Sequence, residues 1–227
     1  MEAVIIVAGG SGSRMKSNTP KQFLEIAGKP ILMHTIEAFH KYSDNIKIIL
    51  VLPQDRWDDW ENLKDQYNFL IEHSLVVGGS TRTDSVRNGL ALVDNSETVA
   101  IHDGVRPLIS PGVISQAFQT ATNHSTAIVC VASKDSLRQL DIEERSEAVD
   151  RKEFRIVQTP QVFRAELIKK AYQKILASNQ EFTDDASVAE FCGYSINLVE
   201  GEYSNIKITT PEDLIIAESI LRSRENQ

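Results

Sequence analysis

Six consecutive apolar residues, Ala3 to Ala8, run straight into Gly9-Gly10-Ser11-Gly12. This junction constrains the fold more than any other stretch. An unbroken apolar run of strand length fits a strand covered on both faces, the kind found in sheets with helices on either side. The pattern then repeats along the chain. Pro30 to Tyr42 places Ile31, Leu32, Thr35, Ile36 and Phe39 at helical spacing, with Pro30 tolerated in the first turn. Ile46 to Leu52 reads as a strand, Asp55 to Tyr67 as a helix, Leu75 to Val77 as a strand and Ser85 to Leu92 as a helix. Thr98 to His102, Pro111 to Thr122 and Ala127 to Ala132 continue the alternation. Strands separated by helices predict an α/β domain built on a mostly parallel sheet with right-handed crossovers.

The rhythm breaks between Ser133 and Arg155, a charged segment with little apolar material beyond Leu137, Leu140, Ile142 and Val149. A long polar insertion in a compact α/β domain is usually a functional loop or an arm, and Ser136 to Leu140 alternates like a short hairpin strand. Beyond it the pattern predicts a strand over Arg155 to Gln158, a helix over Ala165 to Ala177 and a second helix opened by Thr183-Asp184-Asp185. Strands are predicted at Ile196 to Val199 and Asn205 to Thr209. A closing helix starts near Pro211, with Thr210 as N-cap and Glu212 and Asp213 in its first turn. With no repeat and no Pro/Gly/Ser linker, the expectation is one domain over residues 1–227 with an arm inserted at about 133–155.

Charge narrows the partners. Lys and Arg number 24 against 32 Asp and Glu, a net of −8, which argues against a non-specific nucleic-acid binder because phosphate neutralisation needs a clustered cationic face. It leaves room for a small anion held by a few local cations. The apolar runs are far short of the roughly 18–20 residues that span a bilayer. Met1-Glu2-Ala3 supplies no basic region before its apolar run. Two cysteines, Cys130 and Cys192, read as reduced thiols. The expectation is a cytoplasmic protein with neither membrane nor nucleic-acid partner.

The chemistry sits in Ala8-Gly9-Gly10-Ser11-Gly12-Ser13-Arg14-Met15-Lys16, followed by Thr19-Pro20-Lys21-Gln22. Glycines let the backbone approach phosphate oxygens, and successive N–H groups form an anion nest. Met15 occupies the position where a dinucleotide fingerprint starting at Gly10 needs Gly or Ala, so a dehydrogenase is not indicated. The Gly-Lys-Ser/Thr ending of a P-loop is missing too. A glycine turn carrying Arg14, Lys16 and Lys21 at the ligand-binding edge of an α/β sheet suits a triphosphate. The plainer alternative is an ordinary turn with solvated basic residues.

Ala8-Gly9-Gly10-Ser11-Gly12-Ser13-Arg14-Met15 with Pro20-Lys21-Gln22-Phe23 resembles the nucleotidyltransferases that make nucleoside-diphosphate sugars and alcohols. Further motifs follow in family order. They are Gly78-Gly79 with Arg82, Asp84-Ser85-Val86, His102-Asp103-Gly104-Val105-Arg106-Pro107, Thr159-Pro160-Gln161, Thr183-Asp184-Asp185-Ala186-Ser187 and Asn205-Ile206-Lys207-Ile208-Thr209. Together they resemble the 2-C-methyl-D-erythritol 4-phosphate cytidylyltransferase family of the non-mevalonate isoprenoid pathway. The resemblance implies a Rossmann-like, mostly parallel sheet flanked by helices, with a protruding arm exchanged in a homodimer. It also implies transfer of cytidylate from CTP to a sugar-alcohol phosphate with Mg²⁺ as cofactor, the ion held chiefly by triphosphate oxygens and by no dedicated protein metal site. By the same resemblance Arg14, Lys21, Arg151 and Lys207 are the catalytic residues. Ala8, Gly9, Gly10, Gly12, Gly78, Gly79, Ser85 and Asp103 bind CTP, and Asp103, Arg106, Ser136, Thr159 and Thr183 bind the alcohol.

Departures from the family pattern are small. Ser80 stands where Asp is frequent and Ser136 where Thr is common. Gly104 replaces a frequent Ala, a small-for-small difference expected to matter little. The ribitol-5-phosphate cytidylyltransferases share most of these motifs and are the main alternative; a nucleotide-binding regulatory protein that has lost catalysis is the other. His102 beside Asp103 is not read as a catalytic pair, since neighbours on a strand point to opposite faces. Trp57, Trp60 and Cys130 read as packing residues, and Glu143 to Glu147 as a solvated face of the arm.

Overall fold

A computed structural model describes residues 1–10, 15, 19–178 and 180–225. The elements, in chain order, are β1 (Glu2–Val7), β2 (Glu25–Ile26), β3 (Lys29–Pro30), α1 (Ile31–Tyr42), β4 (Lys47–Leu52), α2 (Trp57–Gln66), β5 (Ser74–Val77), α3 (Arg82–Leu90) and β6 (Thr98–Asp103). They continue with α4 (Pro111–His124), β7 (Thr126–Ala132), β8 (Leu137–Leu140), β9 (Ser146–Val149), β10 (Arg155–Arg164), α5 (Ala165–Lys174), α6 (Asp185–Phe191), β11 (Leu198–Glu200) and α7 (Pro211–Glu225). One seven-stranded sheet has the order β11-β7-β10-β6-β1-β4-β5. Neighbours pair in parallel except around β10, which is antiparallel to both β6 and β7.

β1 shows why the sheet is sandwiched. Its side chains alternate between faces, and both faces are dry. Val4 and Ile6 join a core formed with α1, α4 and Trp60, whereas Ala3 and Ile5 join a second core formed with α3, α5 and α6. A third cluster, with Ile26, Ile31, Val105, Leu108, Ile208 and Ala217, seats α7 against the β2–β3 ribbon and the loop after β6. Val7 pairs with Val51 on one side and with Asp103 on the other. The carboxyl ends of β1, β4 and β6 therefore finish level, which gathers the loops that follow them at one edge of the sheet.

Two segments differ from the sequence reading. β10 continues past Gln158 to Arg164 as an interior strand, with Val162 and Phe163 fully buried. Pro160 lacks an N–H and argues against an interior strand; the register shift between Val157 and Gln161 accommodates it. Asn205 to Thr209 is extended but forms no strand. Ile208 N–H donates to Val105 O at 2.9 Å, and Ile206 and Ile208 pack into the third core instead of a ladder. The start of α7 is secured from Asp213. Its Oδ2 accepts from the Thr209 and Thr210 N–H groups, each at 2.8 Å, and from the Thr209 hydroxyl at 2.9 Å.

The insertion contains the expected hairpin. β8 pairs with β9 from Leu137 opposite Val149 to Leu140 opposite Ser146. Asp141 closes the turn by accepting from the Glu143 and Arg145 N–H groups, both at 2.9 Å.

Candidate active site

The loops at the level edge enclose a cleft of about 210 Å³ lined by Val7 to Gly10, Lys21, Gln22, Gly79 to Arg82, Ser85, Asp103, Val105 and Lys207. Its floor is the end of β1. Ala8 N–H donates to Val51 O at 3.0 Å, and the buried Gln22 amide donates to Ala8 O at 2.8 Å, which ties the glycine turn to the segment carrying Lys21. A Cβ built on Gly10 would stand 3.5 Å from Lys21 Cε and 3.9 Å from its Nζ, so the ammonium lies across the glycine backbone. Among the described residues the lining carries three positive side chains, Lys21, Arg82 and Lys207, against one carboxylate, Asp103, within a chain of net charge −8.

The second glycine loop forms the opposite wall. At Gly79 a Cβ would fall 2.2 Å from Asp84 Cβ, so no side chain fits without moving the start of α3. Ser85 Oγ accepts from Gly79 N–H at 3.0 Å and donates to Thr81 O at 2.9 Å. Its proton is committed to shaping the loop, leaving a lone pair toward the cleft. Thr81 caps α3 by accepting from Asp84 N–H at 3.0 Å, while the Asp84 carboxylate accepts from the Ser80 and Thr81 hydroxyls. Gly78 donates its N–H to Leu52 O at 2.8 Å and anchors the loop to β4. Together these bonds hold backbone groups of Gly79 to Arg82 along one wall, as a flat base edge requires.

Asp103, at the carboxyl end of β6, organises the charges. Lys207 Nζ lies 3.1 Å and Arg106 Nε 3.2 Å from its Oδ2, and Arg82 Nε is 4.0 Å from its Oδ1. Burial opposes its ionisation, but Lys207, Arg82 and Arg106 outweigh it and hold the carboxyl well below the usual range. Arg106 is largely enclosed and also donates to Asn205 O at 2.8 Å, so it braces the cleft wall and does not line it. Lys207, although in no strand, turns into the cleft because Ile208 is pinned beside Val105.

His102 is fully buried, stacked edge-on against Phe39. Burial depresses its pKa to about 4, so the ring is neutral. Nε2 donates to Arg106 O at 3.1 Å; Nδ1 then accepts from the Thr159 hydroxyl at 3.1 Å, whose oxygen accepts from Asp103 N–H at 3.1 Å. This chain ends on backbone, away from a nucleophile. Thr159, expected to touch the alcohol, is buried with its hydroxyl occupied beneath Asp103.

The remaining expected residues are scattered. Gly12 and Arg14 lie outside the described residues. Ser136, Arg151 and Thr183 are exposed and do not line the cleft of this chain; Arg151 donates to Lys134 O at the base of the arm. Arg82 and Gln22 line the cleft and were not singled out as site residues. Their signal was present, Arg82 in the motif after Gly78-Gly79 and Gln22 beside Lys21. Gly104 corrects the small-for-small reading: a Cβ there would lie 2.9 Å from Ala8 Cβ, 3.1 Å from Leu32 Cδ1 and 3.2 Å from Val7 O, pressing on the cleft floor.

The residues that could support a metal are few. Among the described residues no group of three or more His, Cys, Asp or Glu side chains is placed to hold an ion, and Asp103 is the one carboxylate lining the cleft. That donor set fits a cation carried mainly by nucleotide phosphates. Among the described residues no helix is long and apolar enough to cross a membrane.

Comparison with known proteins agrees with this geometry. The family model of 2-C-methyl-D-erythritol 4-phosphate cytidylyltransferase matches residues 2–223. The chain is 49% identical over 220 residues to the enzyme of that name from Bacteroides thetaiotaomicron, covering 97% of this chain and 99% of the relative. It is 39% identical over 227 residues to that from Bacillus velezensis, with 98% and 97% covered. The crystal structure of 4-diphosphocytidyl-2C-methyl-D-erythritol synthase from Anaerococcus prevotii superposes with a TM-score of 0.85 at 32% identity, covering 97% of this chain and 98% of that one. The Thermus thermophilus enzyme superposes at 0.81 and 29% identity, with 98% and 100% covered. The chain belongs to the 2-C-methyl-D-erythritol 4-phosphate cytidylyltransferase family.

Proposed function

We propose that this protein joins CTP to 2-C-methyl-D-erythritol 4-phosphate, giving 4-diphosphocytidyl-2-C-methyl-D-erythritol and pyrophosphate. The observation that carries the reading is the cleft with three cationic side chains against one carboxylate, beneath a glycine turn, in a member of this family. An oxygen of the alcohol's phosphate attacks the α-phosphorus of CTP, and the in-line bond from that phosphorus to the α,β-bridging oxygen breaks, releasing the β- and γ-phosphates as pyrophosphate. The attacking phosphate brings its own lone pair and no proton has to be removed, so neither a general base nor a protein nucleophile is required. What remains is to bring two polyanions together and stabilise the charge that shifts onto the leaving group.

Lys21 and Arg14 take that electrostatic role. Gly9, Gly10 and Gly12 present backbone N–H groups to the phosphates, and Gly79 to Thr81 read the base edge. Lys207, held at the cleft by Asp103, positions the attacking phosphate together with Arg151, and Ser136 and Thr183 contact the alcohol. Mg²⁺, when bound with the nucleotide, screens the triphosphate and polarises its α-phosphoryl group.

Arg151 and Ser136 reach such a site only from another molecule, and a second copy of this chain is the partner. The arm, the start of β10 and the edge strand β11 leave Leu140, Ile142, Phe154, Ile156 and Leu198 exposed, Ile142 by 99%, apolar surface suited to burial in a homodimer. Sedimentation at micromolar concentration should give twice the chain mass. The reaction is tested by pyrophosphate release from CTP with methylerythritol 4-phosphate beside ribitol 5-phosphate. Release with the former alone is expected; release with ribitol 5-phosphate alone would overturn the substrate, and silence with both would overturn the activity.

A further inference from the structure

Arg82 is the first residue of α3 and its side chain opens into the nucleotide cleft, where 32% of it stays exposed. Its outer nitrogens point the other way. Nη1 and Nη2 donate to the two carboxylate oxygens of Asp185 at 3.1 and 2.7 Å, a bidentate pair. Asp185 is the first residue of α6 and is fully buried, and its Oδ1 also accepts from the Tyr172 hydroxyl of α5 at 2.5 Å. Both oxygens are therefore occupied, and three helices meet at one carboxylate.

We propose that Asp185 is a positioning residue for CTP binding: from behind the wall it locks the Arg82 guanidinium, through two parallel hydrogen bonds, into the orientation that meets the bound nucleotide. This rests on the functional reading above and extends it to a residue with no access to substrate. Arg82 alone has four side-chain torsions and sits at a helix start beside a loop that needs Gly79, so nothing local fixes its tip. A bidentate carboxylate does fix it, because planar fork meets planar fork. With Nη1 and Nη2 held from behind, Nε is left 4.0 Å from Asp103 Oδ1, while the side chain, still 32% exposed, lines the cleft with Asp103 and the second glycine loop.

A purely structural ion pair is the competing account. Buried ion pairs stabilise a fold little more than apolar residues of the same shape would, so holding three helices together does not by itself call for charge here. Only an arginine end that opens on the ligand does. The clamp also joins two parts of the site, since Thr183 lies two residues before Asp185 and Gly79 three before Arg82. The nucleotide loop and the segment leading into α6 are thereby held at fixed separation.

The test is calorimetric binding of CTP with Mg²⁺ to full-length wild type, Asp185→Asn, Tyr172→Phe, Arg82→Met and the double variant Arg82→Met/Asp185→Asn, with melting curves for each. Asp185→Asn keeps the shape but loses one acceptor of the bidentate pair, so the guanidinium is no longer held in one orientation. Its dissociation constant for CTP should therefore rise between ten- and a hundredfold. Tyr172→Phe, which keeps the ion pair and removes only the second donor to Asp185 Oδ1, should raise it less. Arg82→Met/Asp185→Asn leaves no unpaired buried charge and keeps the helices packed even where the single variant is unstable. Because Asp185 acts through Arg82, the double variant should bind CTP no more weakly than Arg82→Met alone. Asp185→Asn that melts early yet binds CTP within about twofold of wild type overturns the proposal, as does a double variant whose losses add. Wild type that binds no CTP overturns the functional reading along with it.

Discussion

Lys21 hangs over Gly10 on a turn that the buried Gln22 amide ties to Ala8 O. Its charge should therefore matter to the reaction and little to the fold. Lys21→Ala is expected to lower kcat/KM by about a hundred- to a thousandfold, the scale for losing one donor aimed at developing charge, while the melting temperature stays within a few degrees. Pyrophosphate release and calorimetry on the same sample check both halves; near wild-type turnover would strip Lys21 of its role. His102 makes the opposite case, a titratable residue that belongs to the fold. Its ring ionises near pH 6.5 when unfolded and near pH 4 when folded. Between those values unfolding takes up a proton, so stability falls as pH is lowered, by about 3 kcal/mol in total. His102→Gln, which cannot titrate, should lose about 3 kcal/mol less than wild type on going from pH 7 to pH 4. Urea melts at stepped pH give the comparison, and His34 and His73, also lowered by burial, titrate in both proteins and cancel. Parallel curves would remove the assignment.

Where β6 ends, one methyl group separates an element's geometry from its ligand. Gly104→Ala places a Cβ 2.9 Å from that of Ala8, and Ala8 is backbone-tied to Val51, so relief must come from moving the end of β1. A destabilisation of about 1–3 kcal/mol is expected from overpacking, with CTP affinity falling because the displaced residues are the cleft floor. Unchanged affinity in a destabilised variant would show that the floor yields without disturbing the glycine turn. Such contacts are between strands distant in sequence, which is why Gly104 read as an innocuous substitution. The elements were more legible. The apolar run of β1, the helical spacing of α1 and the alternation in β8 each carry their own period. The full length of β10 was not legible, since a proline within a strand is local evidence against it, whereas the register shift that absorbs Pro160 depends on β6 and β7. Ile206 and Ile208 misled in the other direction, since alternate apolar residues bury equally well in a core that offers no neighbouring strand.

At the scale of the whole molecule, the candidate site divides by distance along the sheet edge. Ala8, Gly9, Gly10, Lys21, Gly79, Ser85, Asp103 and Lys207 converge in one chain, and motif order was enough to find them. Arg82 stood in the motif after Gly78-Gly79, but its pairing with Asp185, 103 residues away, is one no local pattern announces. Arg151 and Ser136 stand on the arm, outside the cleft, so the part proposed for them requires a second copy whose arm reaches across. That geometry has a consequence that a self-contained site lacks. Mix inactive Lys21→Ala with inactive Arg151→Ala and allow subunits to exchange. In a two-fold dimer a mixed pair carries both defects in one site and neither in the other. Random exchange makes half of the dimers mixed, so about a quarter of wild-type turnover should return. Activity should rise at the rate of subunit exchange, measured in parallel by fluorescence transfer between labelled copies. Full exchange without recovery would place Arg151 outside the shared site and confine the chemistry to residues of a single chain.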